Sequence, residues 1–598
     1  MESIKAVIKL KNYIPPKAYL FAIISLAFTV PFVIFLLAPL EFYFYNAPAF
    51  IVSWNFLFPT FFVFASIVFI VFLVVLLLLW ALLKKLKLSM DSLLLFIWGV
   101  IIASYVQMLF LNGRMTLMTG DETGYGAVSF VNILNLFIWA LIAVTPLLMR
   151  YIFVRLRKEF KYINIFTVTV LFILCMQTAG VFSASYSAGP QHLTDDIPVV
   201  PSFEPTLRLS DEDNVIVFIL DAFDVLVMRD VLEEYPEFSD ILDGFTFYEN
   251  NVSEYFHTFP SVVTMLTRHY YTEGQTFDEY IDEAWNRHTF IDELRDNGFS
   301  TNLYIDMNAT YGNLSNIENR TDNLKSEFSI VANFRGIVRM AGLTSFGRLA
   351  PYLLKDVFLT PLGFTINDGL MGFDVSEIDE LEVFSYGVSH SNDFRFFDYI
   401  RRNELTLSDK KMFFVYHMIG SHQQFDREST ANGYFFDDES GELVHGGNYI
   451  ESTRACLIIL NTYFDKMREL GVYDNSTIVL IGDHGRLAER GSEAFTTALL
   501  IKPGGASGAL IAENGSELSH MYFSAGILDF AGLPHSDFGI SYNDIIQGLP
   551  PLVRIKYDTG NWWRERETTQ QIHFNGFYEI SGDANDFSNW KFIPWSVD

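Results

Sequence analysis

Cysteine is scarce in this chain, and the scarcity excludes a fold held together by disulfide bonds. The sequence contains two cysteines among 598 residues. Cys175 falls in an apolar run and Cys456 in a helical pattern far along the chain, so we expect them not to pair.

Charged side chains are absent from five long runs of the sequence. These runs are residues 18–40, 42–83, 92–113, 123–149 and 162–194. A helix needs roughly 20 apolar residues to cross the hydrocarbon core of a bilayer, and each run is long enough. The first run is too long for a cleaved signal peptide and lacks a small-residue cleavage site after it, so we interpret it as an anchor. We predict transmembrane helices near residues 18–39, 60–83, 92–112, 128–149 and 163–184.

Basic side chains are nearly missing from alternate loops between these helices. The loops at 41–59 and 113–127 carry only Arg114, whereas the other loops and the N-terminal segment carry clusters of Lys and Arg. Because basic loops face the cytoplasm, the N-terminus is predicted to be cytoplasmic. An odd number of helices then places the chain after residue 185 outside the cytoplasm. The sequence predicts a multi-pass protein of the cell (plasma or inner) membrane, and the lack of disulfides is compatible with a bacterium.

Basic residues are also outnumbered in the rest of the chain. Residues 1–190 hold 13 basic and 6 acidic side chains, whereas residues 191–598 hold 28 basic and 64 acidic ones. Nucleic acid and anionic lipid repel so acidic a domain, so we predict no nucleic-acid partner. A linker rich in Ser, Pro, Asp and Glu spans 185–212. The predicted domains are therefore a transmembrane domain at 1–184, the linker, and a soluble domain outside the cytoplasm at 213–598.

Short apolar runs alternate with helical patterns in the soluble domain. The candidate strands are Asn214–Asp221, Ser300–Ile305, Lys411–His417 and Ser476–Ile481. The candidate helices are Thr289–Asn297, Tyr449–Leu470 and Met521–Ala531. Strands that are apolar throughout and alternate with helices predict an α/β domain with a largely parallel central sheet.

Side chains suited to metal binding follow each of these strands. In chain order they are Asp221, Asp306, His417 with His422, and Asp483 with His484. The carboxyl ends of parallel strands meet at one edge of a sheet, where ligands bind. Carboxylates and imidazoles bind divalent cations, so we predict that Asp221, Asp483 and His484 are metal ligands.

A hydroxyl group at a helix start provides a candidate nucleophile. The segment Thr258-Phe-Pro-Ser261 opens an apolar helical pattern that also contains Thr264. A nearby cation and the helix N-terminus both favour the anionic form of such a hydroxyl. Local sequence leaves Thr258, Ser261 and Thr264 as rivals, and an N-cap is the structural alternative for Thr258.

These motifs together resemble the alkaline phosphatase/sulfatase superfamily. Thr258-Phe-Pro-Ser261 resembles the Cys-x-Pro-Ser motif of sulfatases, with Thr at the nucleophile position. His417-Met-Ile-Gly-Ser-His422 resembles a phosphoethanolamine transferase segment whose last His contacts the substrate phosphate or a second metal. The segment from Tyr473 to Gly485 resembles the strand before an Asp-His metal pair. With its apolar helices, the chain looks like membrane phosphotransferases of the lipoteichoic acid synthase and phosphoethanolamine transferase kind.

The resemblance implies a fold, a cofactor and a reaction. The implied fold is an α-helical membrane domain of five transmembrane helices followed by an α/β sulfatase-like domain. Thr258 would join Asp221, Asp483 and His484 around a divalent metal, Mn²⁺ or Zn²⁺ with Mg²⁺ or Ca²⁺ as alternatives, and would be the catalytic nucleophile. Sulfatases of this fold need Cys or Ser at that position, so Thr258 favours phosphoryl transfer through a phospho-threonine. The implied partners are a membrane phospholipid donor and a glycan or glycolipid acceptor.

Other residues receive weaker roles from the resemblance. His422 and His417 are expected to bind or support the substrate phosphate, and Asp306 and His520 are further candidates. Arg486 stands where many relatives carry an acid, and residues 487–497 lack a His that relatives often have, for which His520 or His445 could substitute. Residues 307–410 match no known pattern and are expected to shape the acceptor site.

Two other classes of function stay open from the sequence. One is a membrane phosphodiesterase, phosphatase or sulfatase-type hydrolase, which passes the group to water. The other is a non-catalytic regulator that keeps the sulfatase-like fold and binds lipid or a partner. The retained set of Asp221, Thr258, Asp483 and His484 weighs against the regulator.

Overall fold

The structure is a computed structural model. In it the chain forms two compact units. The described residues are 16–40, 54–86, 90–112, 129–156, 176, 180, 200–306, 310–325, 329–332, 334–363, 373–376, 382, 384, 390–422, 433–485, 495–559, 571 and 573–595. The first unit comprises residues 1–196 together with 332–374, and the second comprises 197–331 with 375–598.

The elements are numbered in chain order. The α-helices are α1 (Pro16–Phe32), α2 (Trp54–Lys85), α3 (Asp91–Val106), α4 (Phe130–Leu156), α5 (Val225–Glu234), α6 (Phe238–Ile241), α7 (Thr258–Thr267), α8 (Phe277–Trp285), α9 (Phe290–Asp296), α10 (Phe334–Leu349), α11 (Tyr352–Gly363), α12 (His390–Arg402), α13 (Tyr449–Leu470), α14 (Phe523–Phe530) and α15 (Tyr542–Ile546). Short π-helical segments, Val33–Leu37 and Gln107–Leu111, extend α1 and α3.

The strands are β1 (Val200–Pro201), β2 (Arg208–Ser210), β3 (Asn214–Leu220), β4 (Thr246–Tyr248), β5 (Asn251–Val252), β6 (Ser300–Tyr304), β7 (Leu324–Lys325), β8 (Ser329–Ala332), β9 (Phe373–Ser376), β10 (Thr406–Ser408), β11 (Met412–Met418), β12 (Tyr434–Asp437), β13 (Glu442–His445), β14 (Ser476–Gly482), β15 (Leu499–Lys502), β16 (Ile511–Glu513), β17 (Leu518–Ser519), β18 (Arg554–Asp558), β19 (Gly576–Ile580) and β20 (Trp590–Pro594). Short 3₁₀ helices cover Glu204–Leu207, Leu314–Asn316, His520–Tyr522, Ser536–Phe538 and Phe587–Asn589.

The N-terminal helices of the first unit are apolar. Among the described residues, three segments are long and apolar enough to cross a membrane: Leu20–Leu40, Phe58–Lys85 and Phe130–Met149. The helix predicted at 92–112 is present as α3 with its π-helical extension, but its apolar stretch, Ser92–Val106, is shorter than these. The helix predicted at 163–184 lies outside the described residues, apart from two single positions. Of the five predicted spans, three are candidates by length and composition.

The apolar N-terminal helices pack closely against one another. Ile23 and Leu26 of α1 form a buried cluster with Leu76 of α2 and Trp98 of α3. The neighbouring Gly99 of α3 faces α4, and a Cβ built on it would lie 1.9 Å from the carbonyl oxygen of Ala143. Small residues of this kind let helix backbones approach each other in membranes.

A seven-stranded sheet forms the centre of the second unit. Its strand order is β16-β4-β15-β14-β3-β11-β6. Neighbouring strands are parallel except where β15 pairs antiparallel with β14 and β4. The largely parallel sheet predicted from the sequence is therefore confirmed, with one antiparallel strand that the sequence did not indicate.

The central strands are completely buried. Every residue of β3, β11 and β14 is buried, which explains why these strands are apolar throughout instead of alternating. Their bounds differ by at most one residue from the candidate strands that the sequence suggested. Helix α13 agrees at both ends, with an Asn448 capping box at its start and left-handed Gly471 after its end.

Candidate active site

Two carboxylates and one imidazole meet where β3 and β14 end. Leu220 pairs with Gly482 in the parallel register, so the residues that follow, Asp221 and Asp483, lie side by side. His484 is next along the chain. One ligand atom from each of these three buried residues can be chosen such that all lie within 4.8 Å of one another. The structure therefore brings together the three residues predicted as metal ligands.

Asp483 is held by the backbone on one of its two oxygens. Its Oδ1 accepts hydrogen bonds from the N–H groups of Ala222 (2.9 Å) and His484 (2.8 Å). Burial by itself would raise the pKa of Asp483, but the neighbouring imidazoles of His484 and His417 and these N–H groups outweigh it, and the pKa is lowered. Asp483 Oδ2 is buried and has no hydrogen-bond partner among the described residues. A buried, ionised oxygen in this position favours a bound cation.

The imidazole of His484 is oriented by its other ring nitrogen. His484 Nδ1 lies 2.7 Å from the carbonyl oxygen of Gly485, so Nδ1 carries the proton and donates it. The lone pair of Nε2 then faces Asp221 Oδ1 at 3.7 Å and Asp483 Oδ2 at 3.6 Å. Burial lowers the pKa of His484, so the ring is neutral at neutral pH, as a metal ligand must be.

Thr258 is the hydroxyl that lies beside this cluster. Its Oγ1 is 3.5 Å from Asp221 Oδ2 and 3.4 Å from His484 Nε2. Its two rivals make other bonds: buried Ser261 donates to the carbonyl oxygen of Asp483 at 2.6 Å, and Thr264 Oγ1 is 2.8 Å from Tyr280 Oη. The geometry favours Thr258, because its hydroxyl reaches the cluster while Ser261 and Thr264 support the helix behind it.

Two more histidines of the predicted site reach the same cluster. His417 Nε2 lies 3.6 Å from Asp221 Oδ2 and 3.9 Å from Asp483 Oδ2. Burial lowers the pKa of His417 to about 4, so it faces the carboxylates as a neutral ring. His422 Nε2 is 3.9 Å from Asp221 Oδ1, and its side chain is more exposed than that of His417. His422 is thus placed to meet a ligand that enters from solvent.

A buried carboxylate missed by sequence analysis shapes the turn that carries His422. Asp393 of α12 accepts hydrogen bonds from the backbone N–H groups of Ile419 (3.1 Å) and Gly420 (3.0 Å). Within the same turn, Ser421 donates to the carbonyl oxygen of Asp221 at 2.6 Å. Asp393 is separated from these residues along the chain and lies in the segment that matched no pattern, so no local signal identified it.

A buried lysine also escaped the sequence analysis. Lys556 of β18 donates to the carbonyl oxygens of Ser253 (3.2 Å) and Tyr255 (3.0 Å), in the segment that leads to Thr258. Burial lowers the pKa of Lys556 to about 7 and raises the pKa of nearby Glu254 to about 7. Lys556 is therefore placed to hold the backbone before Thr258.

Among the described residues, the remaining candidates do not belong to the group of potential metal ligands, although Asp483 and His484 lie close enough to His520 to influence its pKa. Asp306 follows edge strand β6 and is absent from the group of potential metal ligands found among the described residues. His520 Nε2 is 3.4 Å from Thr497 Oγ1, and burial lowers its pKa to about 3. His445 stacks on Phe394 on the hairpin of β12 and β13, with ring centroids 4.6 Å apart. Arg486 and most of the segment after it lie outside the described residues.

The residues of the cluster fit a divalent cation. The set comprises two carboxylates and a neutral imidazole, all buried, with a threonine hydroxyl adjacent. Mixed oxygen and nitrogen donors of this kind suit Zn²⁺ and Mn²⁺. Asp221, Asp483 and His484, with Thr258, would hold the ion.

A family model described as Sulfatase matches residues 213–533, which is over half of the chain. The chain therefore belongs to the sulfatase family, and the predicted membership in the alkaline phosphatase/sulfatase superfamily is confirmed. Members of this superfamily use divalent metals, in agreement with the cluster described above. No curated protein matches the sequence significantly.

Several solved structures resemble the chain at low identity. A protein in the alkaline phosphatase superfamily from Vibrio parahaemolyticus is 11% identical, with 67% of this chain and 85% of that chain covered and a TM-score of 0.35. The phosphonate monoester hydrolase SpPMH from Silicibacter pomeroyi is 15% identical (64% and 89% covered, TM-score 0.35). The C-terminal periplasmic domain of EcEptC from Escherichia coli, in complex with Zn, is 12% identical (63% and 96% covered, TM-score 0.32). Likenesses at this level carry no argument about substrate or reaction.

Proposed function

We propose that this protein is a membrane-anchored, metal-dependent phosphotransferase. It transfers a phospho-headgroup, phosphoglycerol or phosphoethanolamine, from a membrane phospholipid to a glycan or glycolipid acceptor. The observation that carries the proposal is the position of Thr258 Oγ1 beside Asp221 and His484. A threonine cannot form the oxidised aldehyde hydrate on which sulfatases of this fold depend, so its hydroxyl favours direct attack on phosphorus.

The reaction has two displacements. A divalent cation held by Asp221, Asp483 and His484 would lower the pKa of the Thr258 hydroxyl and offset charge on the phosphoryl oxygens. Thr258 Oγ1 forms a bond to phosphorus while the bond from phosphorus to the diacylglycerol oxygen breaks, and the threonine proton ends on that leaving oxygen. The oxygen of an acceptor hydroxyl then forms the new bond to phosphorus, the bond to the threonine oxygen breaks, and the acceptor's proton returns to Thr258.

The histidines supply charge and position. His422, which is partly exposed, would donate a hydrogen bond to a phosphoryl oxygen as negative charge develops. His417 supports the carboxylates from the buried side, where its neutral ring adds no positive charge. The apolar helices would keep the site near the interface at which the donor's phosphate lies, and this lowers the entropic cost of the encounter.

The test uses purified full-length protein, Mn²⁺ or Zn²⁺, and fluorescent phosphatidylglycerol or phosphatidylethanolamine. We expect diacylglycerol release from one of these lipids, and a loss of on the order of 10³-fold or more for Thr258→Ala. Thr267→Ala is the matched control, because its hydroxyl bonds to the carbonyl oxygen of Val263 at the far end of the same helix. Release by Thr258→Ala at the rate of the parent protein would overturn the nucleophile assignment.

Product analysis separates the proposed transfer from its alternatives. Mass spectrometry of a reaction quenched without acceptor should find the headgroup phosphate on the peptide that contains Thr258. Release of free headgroup phosphate that added glycolipid acceptor leaves unchanged would indicate a hydrolase. Metal binding with no turnover of any phospholipid would indicate the non-catalytic regulator.

A further inference from the structure

The helix pair of α10 and α11 belongs to the unit that contains the membrane helices. In sequence it lies far beyond the linker, inside the segment expected to shape the acceptor site. Residues 332–374 nevertheless cluster with residues 1–196. The chain leaves the second unit at β8 and returns at β9, and these two strands pair with each other.

The helix pair packs on residues near one end of the membrane helices. Leu349 shares a buried cluster with Val33 and Leu37 beyond α1 and with Met108 beyond α3. Polar contacts reinforce this packing. Asn112 Nδ2 donates to the carbonyl oxygen of Arg348 at 2.9 Å, and the N–H group of Tyr352 donates to Asn135 Oδ1 at 3.0 Å.

These contacts identify which end of the membrane helices the pair covers. Val33 and Met108 follow the C-terminal ends of α1 and α3, whereas Asn135 lies near the start of α4. Lys84 and Lys85 lie at the opposite end, in the last turn of α2. By the charge rule the end with Lys84 and Lys85 is cytoplasmic, so the helix pair is at the outer end.

The pair exposes large apolar side chains beside these spans. Phe346 is 37% exposed, Leu354 47% and Val357 65%. Phe346 contacts Phe35, and Leu349 of the same helix packs on Val33, Leu37 and Met108, which belong to the apolar N-terminal helices and their π-helical extensions. The exposed apolar groups are therefore at the depth where the hydrocarbon core gives way to the headgroup layer.

The charge of the helix pair is opposite to that of the rest of the soluble part. Residues 334–363 contain four basic side chains and one acidic one, within a region of 28 basic and 64 acidic residues. Of the basic groups, Arg339 is exposed and Arg348 half-buried. Helices that combine apolar and basic side chains lie in membrane interfaces, where the cations meet lipid phosphates.

We propose that the helix pair lies in the headgroup layer of the outer leaflet and binds phospholipid there. Leu354 and Val357 contact the upper acyl chains, and Arg339 contacts lipid phosphate groups. The occupant of this surface is lipid, because the surface continues that of the membrane helices and its charge complements phosphate. The proposal does not depend on the reaction at Thr258.

The experiment measures lipid contact in the full-length protein, reconstituted in nanodiscs. Val357→Cys, in a Cys175→Ser background, is labelled with an environment-sensitive fluorophore, and nitroxide-labelled phosphatidylcholine is added as quencher. Ile511→Cys is the matched control, because Ile511 is an equally exposed β-branched residue (64%) on β16 of the second unit. We expect a blue-shifted emission and at least about twofold quenching at position 357, and neither at position 511.

The fluorescence of the labels at positions 357 and 511 can support or overturn lipid binding by the helix pair. A label at 357 that is as solvated and unquenched as the label at 511 would overturn it. A label that is blue-shifted but not quenched would also overturn it, because protein instead of lipid then covers the surface. In a second comparison, Arg339→Gln should reduce the extra quenching that phosphatidylglycerol produces in the nanodisc. Thr258→Ala should leave all these signals unchanged, which keeps this test separate from that of the proposed reaction.

Discussion

Asp483 and Asp393 are both completely buried carboxylates of the second unit, but their surroundings differ. Asp393 accepts hydrogen bonds on both oxygens: Tyr416 donates to Oδ1, whereas Tyr434, Ile419 and Gly420 donate to Oδ2. Asp483 has donors on Oδ1 only, and its Oδ2 faces the imidazoles of His484 and His417 and has no hydrogen-bond partner among the described residues.

The difference distinguishes a carboxyl group that stabilises a turn, Asp393, from one that can bind a cation, Asp483. A buried carboxyl group whose oxygens are all occupied by donors stabilises one backbone arrangement, here the turn from Ile419 to His422, and burial raises the pKa of Asp393 to about 7. A buried carboxylate that keeps one oxygen without a donor, beside the second carboxylate Asp221, leaves a position for a cation, and a cation that binds there stabilises the folded protein. Mutation of Asp483 should therefore reduce activity far more than stability. Mutation of Asp393 should reduce stability more and activity less.

The largest effect is expected for Asp483→Asn. Loss of this charge should remove bound metal and reduce diacylglycerol release by on the order of 10³-fold. The melting temperature of the metal-free protein should fall only slightly, because the Asn oxygen still accepts from the N–H groups of Ala222 and His484 and the repulsion with Asp221 is relieved. Metal content by mass spectrometry and calorimetry of the metal-free protein check both parts. Asp474→Asn, at an exposed position before β14, is the control, and a large drop in melting temperature for Asp483→Asn alone would contradict the comparison.

Asp393→Ala should show the reverse balance. It leaves the N–H groups of Ile419 and Gly420 without their acceptor, so we expect a loss of about 3 kcal/mol in the free energy of unfolding. Metal content should persist, while kcat falls by roughly 10-fold or more because His422 is no longer held.

Comparison of Asp393→Asn with Asp393→Ala tests whether Asp393 acts by holding the turn. The amide oxygen of the asparagine can accept from the same two N–H groups while its amide nitrogen donates to the Tyr416 hydroxyl, so most of the stability and of kcat should return. If the Asn and Ala variants lose kcat equally, Asp393 does not act by positioning the turn.

The smallest effect is expected for Gly420→Ala. A Cβ at this position would lie 2.1 Å from Tyr434 Oη and 2.5 Å from Cys456 Sγ, so the turn and its neighbours must shift. We expect a loss of about 1–3 kcal/mol in the free energy of unfolding, measured by urea denaturation, with metal binding retained. Gly515→Ala is the control, because its Cβ would approach only the Glu513 side chain, at 3.0 Å. Equal effects of the two substitutions would show that the turn is not tightly packed.

The sequence predicted those parts of the site that are carried by strands. Asp221 and Asp483 follow β3 and β14, and parallel neighbours end at the same sheet edge, so their meeting needed only the recognition of two apolar runs. Asp306 follows β6 in the same way, but β6 is the outermost strand, and strand order cannot be read from apolar runs. Asp306 therefore follows a strand two positions away from β3, which its apolar run alone could not reveal.

Long-range contacts explain what the sequence did not predict. Asp393 and Lys556 act on backbone groups at 419–420 and 253–255, and neither has a motif or a periodic pattern that records those contacts. The sequence analysis did not predict that residues 332–374 pack with the apolar N-terminal helices, for a related reason. Apolar helices of this length are ordinary in soluble domains, and only their packing partners, Val33 and Met108, distinguish them.

The helix pair also has a practical consequence for anyone who truncates the protein. A soluble version that starts at residue 197 keeps α10 and α11 but discards Val33, Leu37 and Met108, against which Leu349 packs. The face left bare is apolar, and such faces cause aggregation in water. A soluble, monodisperse fragment should therefore also require deletion of the segment between β8 and β9. A short polar linker would replace residues 333–372.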